Sequence, residues 1–364
     1  MNETSEFTSE AVAAGHPDKV ADRISDEILD ECLRQNPNAR VAVETLITGG
    51  LVVLAGEVRN ASPDYVTVVR RTLLNIGYDP DDYRVEVRIQ EASDNIDNVV
   101  SAGGANDQSI VYGYATTENQ RFVNQAHWAS LEIMATLDDL GHRELFLLPD
   151  GKCMVTLLYE DGRPGVATAV TVSKCHYDGF QRITRDAVME ALKSTLDFRL
   201  TDKTRVTINP PDGIWAKGGP GVDTGLTGRK IIMDSYGGVS PHGGGAFSGK
   251  DPTKIDRSGA YMARWLAKNL AFWGFARRCQ VSMAYSFGSP EPVSLTVKGW
   301  RHNTLTGESL VSLCRQLDLT PKGIINRLDL LQPHYGVTAS NGHFGHDDFT
   351  WELVVPCPFS RTVG

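Results

Sequence analysis

Between Gly243 and Arg257 the chain reads Gly-Gly-Gly-Ala-Phe-Ser-Gly-Lys-Asp-Pro-Thr-Lys-Ile-Asp-Arg. The glycines let backbone N–H groups come close to an anion. Lys250, Lys254, Arg257, Asp251 and Asp256 crowd the second half of the stretch. Cations suit phosphate oxygens and carboxylates suit a divalent metal, so the mixture fits a polyphosphate carrying a metal ion. Gly244, four residues, Gly249 and Lys250 nearly form a P-loop, but Asp251-Pro252 stands where a Ser or Thr and a helix start belong. A different phosphate grip is expected.

Three other polar clusters accompany it. Gly15-His16-Pro17-Asp18-Lys19 lies at a helix start, where anions are favoured; alone it reads more readily as a capped surface helix with scattered charges. Gly104-Ala105-Asn106-Asp107-Gln108-Ser109 is a nucleotide-binding turn or an Asx turn. Asp223-Thr224-Gly225-Leu226-Thr227-Gly228-Arg229-Lys230 ends in two cations that could face phosphates, or is a strand-edge turn with a solvated charge pair.

The elements that must position these clusters follow from periodicity. Val20, Ile24, Ile28 and Cys32 predict a helix over 17–35 with Pro17 at its start. Arg40–Leu46 and Leu51–Val58 predict a hairpin through Gly49-Gly50, and Pro63–Ile76 a helix ending at Gly77. Arg84–Gln90 alternates as a half-exposed strand. Glu91–Asn106 shows no period and is expected to be a mobile loop. Further on come helix Glu118–Leu140, strands Cys153–Tyr159 and Val166–Ser173, helix Phe180–Ser194 and strand Arg205–Ile208. The last third is expected to hold strand Lys230–Asp234, a helix capped by Asp256, strands Arg278–Phe287 and Val293–Lys298, and short helices near 307–330. A hairpin-plus-helices unit thus recurs about three times, which suggests an α+β fold of three similar layers with helices on one sheet face.

At 364 residues with 41% hydrophobic and 22% charged content, the chain has the composition of a soluble globular protein of two or three domains. A net charge of −9 argues against non-specific nucleic-acid binding. No apolar run approaches a membrane span, and the acidic N-terminus does not read as a signal peptide. Cys32, Cys153, Cys175, Cys279, Cys314 and Cys357 form no C-x-x-C pair and read as reduced thiols of a cytoplasmic protein.

Taken together, the clusters resemble the methionine adenosyltransferase (S-adenosylmethionine synthetase) family. Gly15–Lys19 matches its GHPDK, Gly225–Ile232 its GLTGRKII, Gly243–Arg257 its GGGAFSGKDPTKxDR, and Gly342–Gly345 its GHFG. The resemblance runs from Phe7 to about Trp351. It implies adenosyl transfer from ATP to the sulfur of methionine, with the triphosphate cleaved to pyrophosphate and phosphate. It implies three α/β domains about a pseudo-threefold, each a mixed or antiparallel sheet with helices on one face: residues 3–98 with GHPDK, a central domain over 102–218, and 219–356 with the glycine-rich loop. It also implies a homodimer or homotetramer with active sites between subunits.

By position, the resemblance makes Asp18 and Asp256 the Mg²⁺ carboxylates and Glu44 the glutamate linked to K⁺. His16 stands beside the breaking C5′ bond, and Lys152, Arg229, Lys230, Lys250 and Lys254 clamp the triphosphate. Glu57 and Asp223 hold the amino acid or nucleoside, and Asp107 is the aspartate of the family's GAGDQG. Two Mg²⁺ and one K⁺ would follow.

The chain departs from the pattern at the amino-acid end. GAGDQG becomes Gly-Ala-Asn106-Asp-Gln-Ser109, and QSPDI becomes Ala92-Ser93-Asp94-Asn95-Ile96 in a shortened loop. Trp215 replaces a Phe, Phe287 an Ile, and Lys174-Cys175-His176 a Thr-Gln-His. Neutral divergence or altered specificity for a methionine analogue would each account for this; a change in apolar pocket volume is worth roughly 1–3 kcal/mol between similar substrates. A non-catalytic paralogue would be expected to have lost the charged groups, and these remain.

Overall fold

A computed structural model describes residues 4–92, 94–144, 146–209, 214–300 and 307–359. The first segment runs β1 (Thr4–Val12), α1 (Pro17–Gln35), β2 (Arg40–Thr48), β3 (Leu51–Arg59), α2 (Tyr65–Ile76), β4 (Arg84–Gln90) and α3 (Asp94–Ser101). Next come β5 (Ser109–Thr116), α4 (Gln125–Arg143), β6 (Leu147–Glu160), β7 (Arg163–His176), α5 (Gln181–Leu196) and β8 (Arg205–Ile208). The last segment holds β9 (Gly225–Leu226), α6 (Ile231–Ser235), α7 (Ile255–Phe272), β10 (Arg278–Tyr285), β11 (Ser294–Trp300), α8 (Gly307–Cys314) and α9 (Pro321–Arg327).

The strands form three sheets in the orders β4-β3-β2-β9, β1-β6-β7-β8 and β11-β10-β5. The first two sheets are mixed, because β3–β4 and β7–β8 are parallel; the third is antiparallel. Helix α1 packs on β2, α4 on β6 and β1, and α7 on β5 and β10. This is the expected α+β arrangement with helices laid on sheets. Each sheet recruits a strand from a distant part of the chain, so β1 joins β6, β5 joins β10 and β9 joins β2.

Local chemistry explains the element ends. Val20, Ile24, Ile28 and Cys32 are fully buried on α1. Asp64 caps α2 by accepting the Thr67 N–H, and Gly77 closes it at φ 107°. Helix α7 is buried nearly all round, as a helix between a sheet and a C-terminal wrap must be. Its charged Arg264 and Lys268 meet the buried Glu352 at 2.7 and 2.8 Å.

Several expectations are corrected. Lys230–Asp234 is not a strand: Ile231–Ser235 is a short helix, since a run of three apolar residues carries no period that distinguishes the two. Glu91–Asn106 is not wholly irregular: it contains α3, where Ile96, Val99 and Val100 supply helical spacing; Ser93 lies outside the described residues. Asp256 is not a cap, because Lys254 is the N-cap residue of α7 and Asp256 sits inside the first turn. Strand β10 stops at Tyr285, two residues short of Phe287. Helix α4 starts at Gln125, capped by Asn124, rather than at Glu118. Strands β1, β5 and β9 were not anticipated; each pairs with residues distant in sequence.

Candidate active site

His16 is the N-cap of α1. Its Nδ1 accepts the Asp18 N–H at 3.1 Å, which leaves the ring proton on Nε2. Burial pushes its pKa down to about 3, aided by Lys230 and Lys152 and opposed by Asp18 and Asp223. The imidazole is therefore a neutral donor, not a cation, at physiological pH.

Asp18 accepts the Leu226 N–H at 3.0 Å on one oxygen and the Lys230 ammonium on the other, with Arg229 at 3.7 Å. Burial alone would raise its pKa, but the Lys230 and Leu226 hydrogen bonds outweigh it and hold the carboxyl below its ordinary value. Gly225 has to be glycine: a Cβ there would lie 2.0 Å from the Pro17 carbonyl. Lys152 faces Val12 across the β1–β6 pair, at the strand end leading to His16. Trp215 is clamped to His176, donating its N–H to Nε2 at 3.3 Å and accepting the His176 N–H at 3.1 Å. His16, Asp18, Lys152, Asp223, Arg229 and Lys230 thus form one cluster.

A second cluster surrounds the start of α7. Asp256 accepts from Ser109 Oγ at 2.6 Å on Oδ1 and from Lys250 Nζ at 2.6 Å on Oδ2. A Cβ on Gly245 would lie 2.3 Å from the Asp256 Cγ, so only glycine lets the loop close over this carboxylate. Lys254 Nζ is 4.0 Å from Glu57. Glu57 pairs with Ala42 across β2–β3, and Ala42 also bridges Lys250, so Glu44, two residues on, shares that sheet face. Asn106 Oδ1 accepts the Ile255 N–H at 2.8 Å, leaving the exposed Asp107 between two residues anchored to α7. Phe287 is 48% exposed on a turn fixed by Gly288 N–H to Ala105 O at 2.9 Å. Ala92 is buried.

Among the described residues no hydrogen bond or ion pair joins the two clusters directly. Both are braced by α1. Asp18, Asp22, Asp26 and Asp30 recur every four residues and so occupy one helix face. Asp22 accepts the Gly228 N–H at 2.8 Å. Asp26 accepts the Gly249 N–H at 2.9 Å and grips Arg257 at 2.6 and 3.0 Å. Asp30 accepts the Tyr335 and Gly336 N–H groups at 2.7 and 2.8 Å. One stripe therefore fixes both phosphate-type loops and the C-terminal wrap.

Three charges of these motifs take structural positions instead of facing a ligand. Arg257 is buried on Asp26. Asp251 is buried and accepts the Val41 N–H at 2.8 Å. Lys19 is buried between Asp22 and Asp234. Sequence reading missed Asp22, Asp26 and Asp234; the four-residue aspartate repeat on α1 was the available signal. It also missed how Lys174 acts. The Lys174 ammonium reaches Asp138 at 2.8 Å, and Asp138 accepts the Ala14 N–H at 2.8 Å, bracing the turn before His16.

Helices on three sheets, with lysine–carboxylate clusters held at the N-termini of two of those helices, define the architecture. The N-terminal domain of S-adenosylmethionine synthetase matches residues 4–100, its central domain 102–214 and its C-terminal domain 217–353. The chain belongs to the S-adenosylmethionine synthetase family. Among the described residues no helix is long and apolar enough to cross a membrane.

Proposed function

We propose that the chain transfers the adenosyl group of ATP to the sulfur of L-methionine and cleaves the released triphosphate to pyrophosphate and phosphate. The observation carrying this is the pairing of three clustered lysines with carboxylates: Lys230 with Asp18, Lys250 with Asp256, Lys254 with Glu57. A metal–triphosphate finds at each pair a cation for its oxygens and an oxygen ligand for its metal.

The donor chemistry fits Mg²⁺. Among the described residues no group of three or more His, Cys, Asp or Glu side chains is placed to hold a metal ion by itself, as a cage built from protein alone would need. Mg²⁺ instead binds through one or two carboxylates plus substrate phosphates, a role open to Asp18 and Asp256. Bound there, the metal would neutralise triphosphate charge. Glu44, exposed on the β2 face beside Glu57, is the proposed K⁺-linked carboxylate.

In the transfer, a sulfur lone pair forms the S–C5′ bond as C5′–O5′ breaks, and the electron pair leaves with the triphosphate. The neutral His16 can offer Nε2–H to the departing oxygen. Lys152, Arg229, Lys230, Lys250 and Lys254 hold the polyanion, so catalysis is positioning and electrostatic stabilisation. Asp107, Asp223, Trp215, Ala92 and Phe287 are assigned to the amino-acid and nucleoside ends. The family resemblance supports a homo-oligomer in which one subunit's first cluster faces its partner's second. A cytoplasmic location is part of the same proposal.

Half-exposed Phe287, pinned beside the Asp107 turn, supports a second reading: the same transfer with altered preference for a methionine analogue. Mass spectrometry of products from ATP, Mg²⁺ and a panel of thioether amino acids tests both. S-adenosylmethionine as the dominant product supports the first, an analogue winning in kcat/KM supports the second, and no adenosylated product defeats both. Asp256→Asn should lose nearly all activity.

A further inference from the structure

Building on the adenosyl transfer proposed above, we propose that Lys174 and Asp138 are a positioning pair for His16. They act through the backbone of the turn that carries the imidazole.

Lys174 lies on β7 with its side chain buried, and Asp138 lies on α4. The Lys174 ammonium donates to Asp138 Oδ1 at 2.8 Å and to the Pro149 carbonyl at 3.3 Å. Asp138 Oδ2 accepts the Ala14 N–H at 2.8 Å. The residues on either side of Ala14 are held as well. Ala13 donates its N–H to the Gly151 carbonyl at 2.9 Å, and the Gly15 carbonyl accepts the Tyr78 hydroxyl at 2.6 Å. Gly15 presses so closely on Pro149 that a Cβ would lie 2.2 Å from the proline Cβ. Pro149 and Lys152 belong to the same strand, β6. One ammonium therefore ties the turn that ends in His16 to the strand that carries Lys152.

Stability alone does not account for this pair. Desolvation of two largely buried charges offsets most of their attraction, and apolar residues of like volume often serve a fold as well. The family pattern has a neutral threonine where this chain has Lys174. What the charged pair adds is direction. With one oxygen pinned by the ammonium, the other is aimed at the Ala14 N–H, two residues before His16. Misplacing a reacting group by about 1 Å can cost on the order of 10²-fold in rate.

The test is steady-state kinetics of the full-length protein carrying Lys174→Met, alone and combined with His16→Asn. Lys174→Met should lower kcat at least tenfold, with KM for ATP and methionine within about twofold of wild type. In the His16→Asn background the same change should alter kcat by less than about twofold, because the donor it positions is gone. Lys174→Arg, which keeps the charge, should recover part of the loss. If Lys174→Met does not fold, Lys174→Thr, which restores the family's residue, takes its place under the same criteria. An equal fold-loss in both backgrounds would overturn the proposal, since the pair would then act on the fold or on another group. So would a lowered urea midpoint with kcat unchanged. Imidazole NMR signals of His16, identified by their absence in His16→Asn, read its placement without turnover. Lys174→Met should move them and leave those of His343, held on α7 by Tyr261, in place. No adenosylated product from wild type would defeat the transfer; His16 signals unmoved by Lys174→Met would defeat the positioning.

Discussion

Ser109 Oγ lies 2.6 Å from Asp256 Oδ1, so a hydroxyl at a position where the family pattern has glycine holds the proposed metal carboxylate. Lys250 takes the other oxygen. A hydrogen bond to a charged group contributes about 1.5–3 kcal/mol. Ser109→Ala should therefore raise the Mg²⁺ concentration for half-maximal activity by roughly tenfold. The fold should remain intact by circular dichroism, and Ser109→Thr should recover part of the effect. An unchanged Mg²⁺ activation curve would show that Ser109 does not orient Asp256.

Asp26 and Arg257 are both buried and meet through two hydrogen bonds, with the Gly249 N–H on the same carboxylate. Removing one partner of a buried pair leaves an uncompensated charge and costs roughly 3–5 kcal/mol. Asp26→Ala should lower Tm sharply and loosen the glycine-rich loop. In a double-mutant cycle, Asp26→Asn with Arg257→Met should cost clearly less than the sum of the single changes. Simple additivity would mean that the pair does not act as a unit.

The sequence made the phosphate-type loops legible because glycine, lysine and aspartate at fixed spacing have few other uses. It also made α1, α2, β2 and β3 legible, since their periods are clean. What could not be read was pairing over distance. Nothing near Thr4–Val12 announces that it will lie against Lys152–Glu160, and two-residue β9 has no period at all. The charges were legible by type but not by duty. Arg257 and Lys254 sit three residues apart on the same motif, yet the first is buried on Asp26 and the second reaches toward Glu57. Lys254 is the extended N-cap residue before α7, whereas Arg257 lies within its first turn, and that step in backbone conformation separates them.

His16 separates capping from chemistry. An Asn at the N-cap can still accept the Asp18 N–H but cannot place a donor where Nε2 lies. His16→Asn should keep stability within about 1 kcal/mol, whereas losing a transition-state donor costs on the order of 10²–10³ in kcat. With its pKa pushed down to about 3 by burial and by Lys230 and Lys152, His16 should contribute no inflection to the kcat profile between pH 6 and 8. An inflection in wild type that vanishes in His16→Asn would show that the ring titrates.

Acid should unfold the protein through its buried histidines. Burial lowers the pKa of His127 and of His242 to about 4, and also lowers those of His334 and His343. A histidine whose folded pKa lies below its unfolded value of 6.5 binds more protons when unfolded. Its stabilising contribution is complete above pH 6.5 and is lost as pH falls toward the folded pKa. For the fully buried His127 that loss amounts to about 3 kcal/mol by pH 4. Asp30 and Asp234, whose pKa values burial raises to about 6 and to about 7, release protons on unfolding over the same range, so the histidine share is read by difference between wild type and His127→Gln in potentiometry of unfolding at pH 5. His127→Gln should take up about one proton fewer on unfolding than wild type does. Equal proton uptake in wild type and His127→Gln would mean that this ring is already protonated in the folded chain.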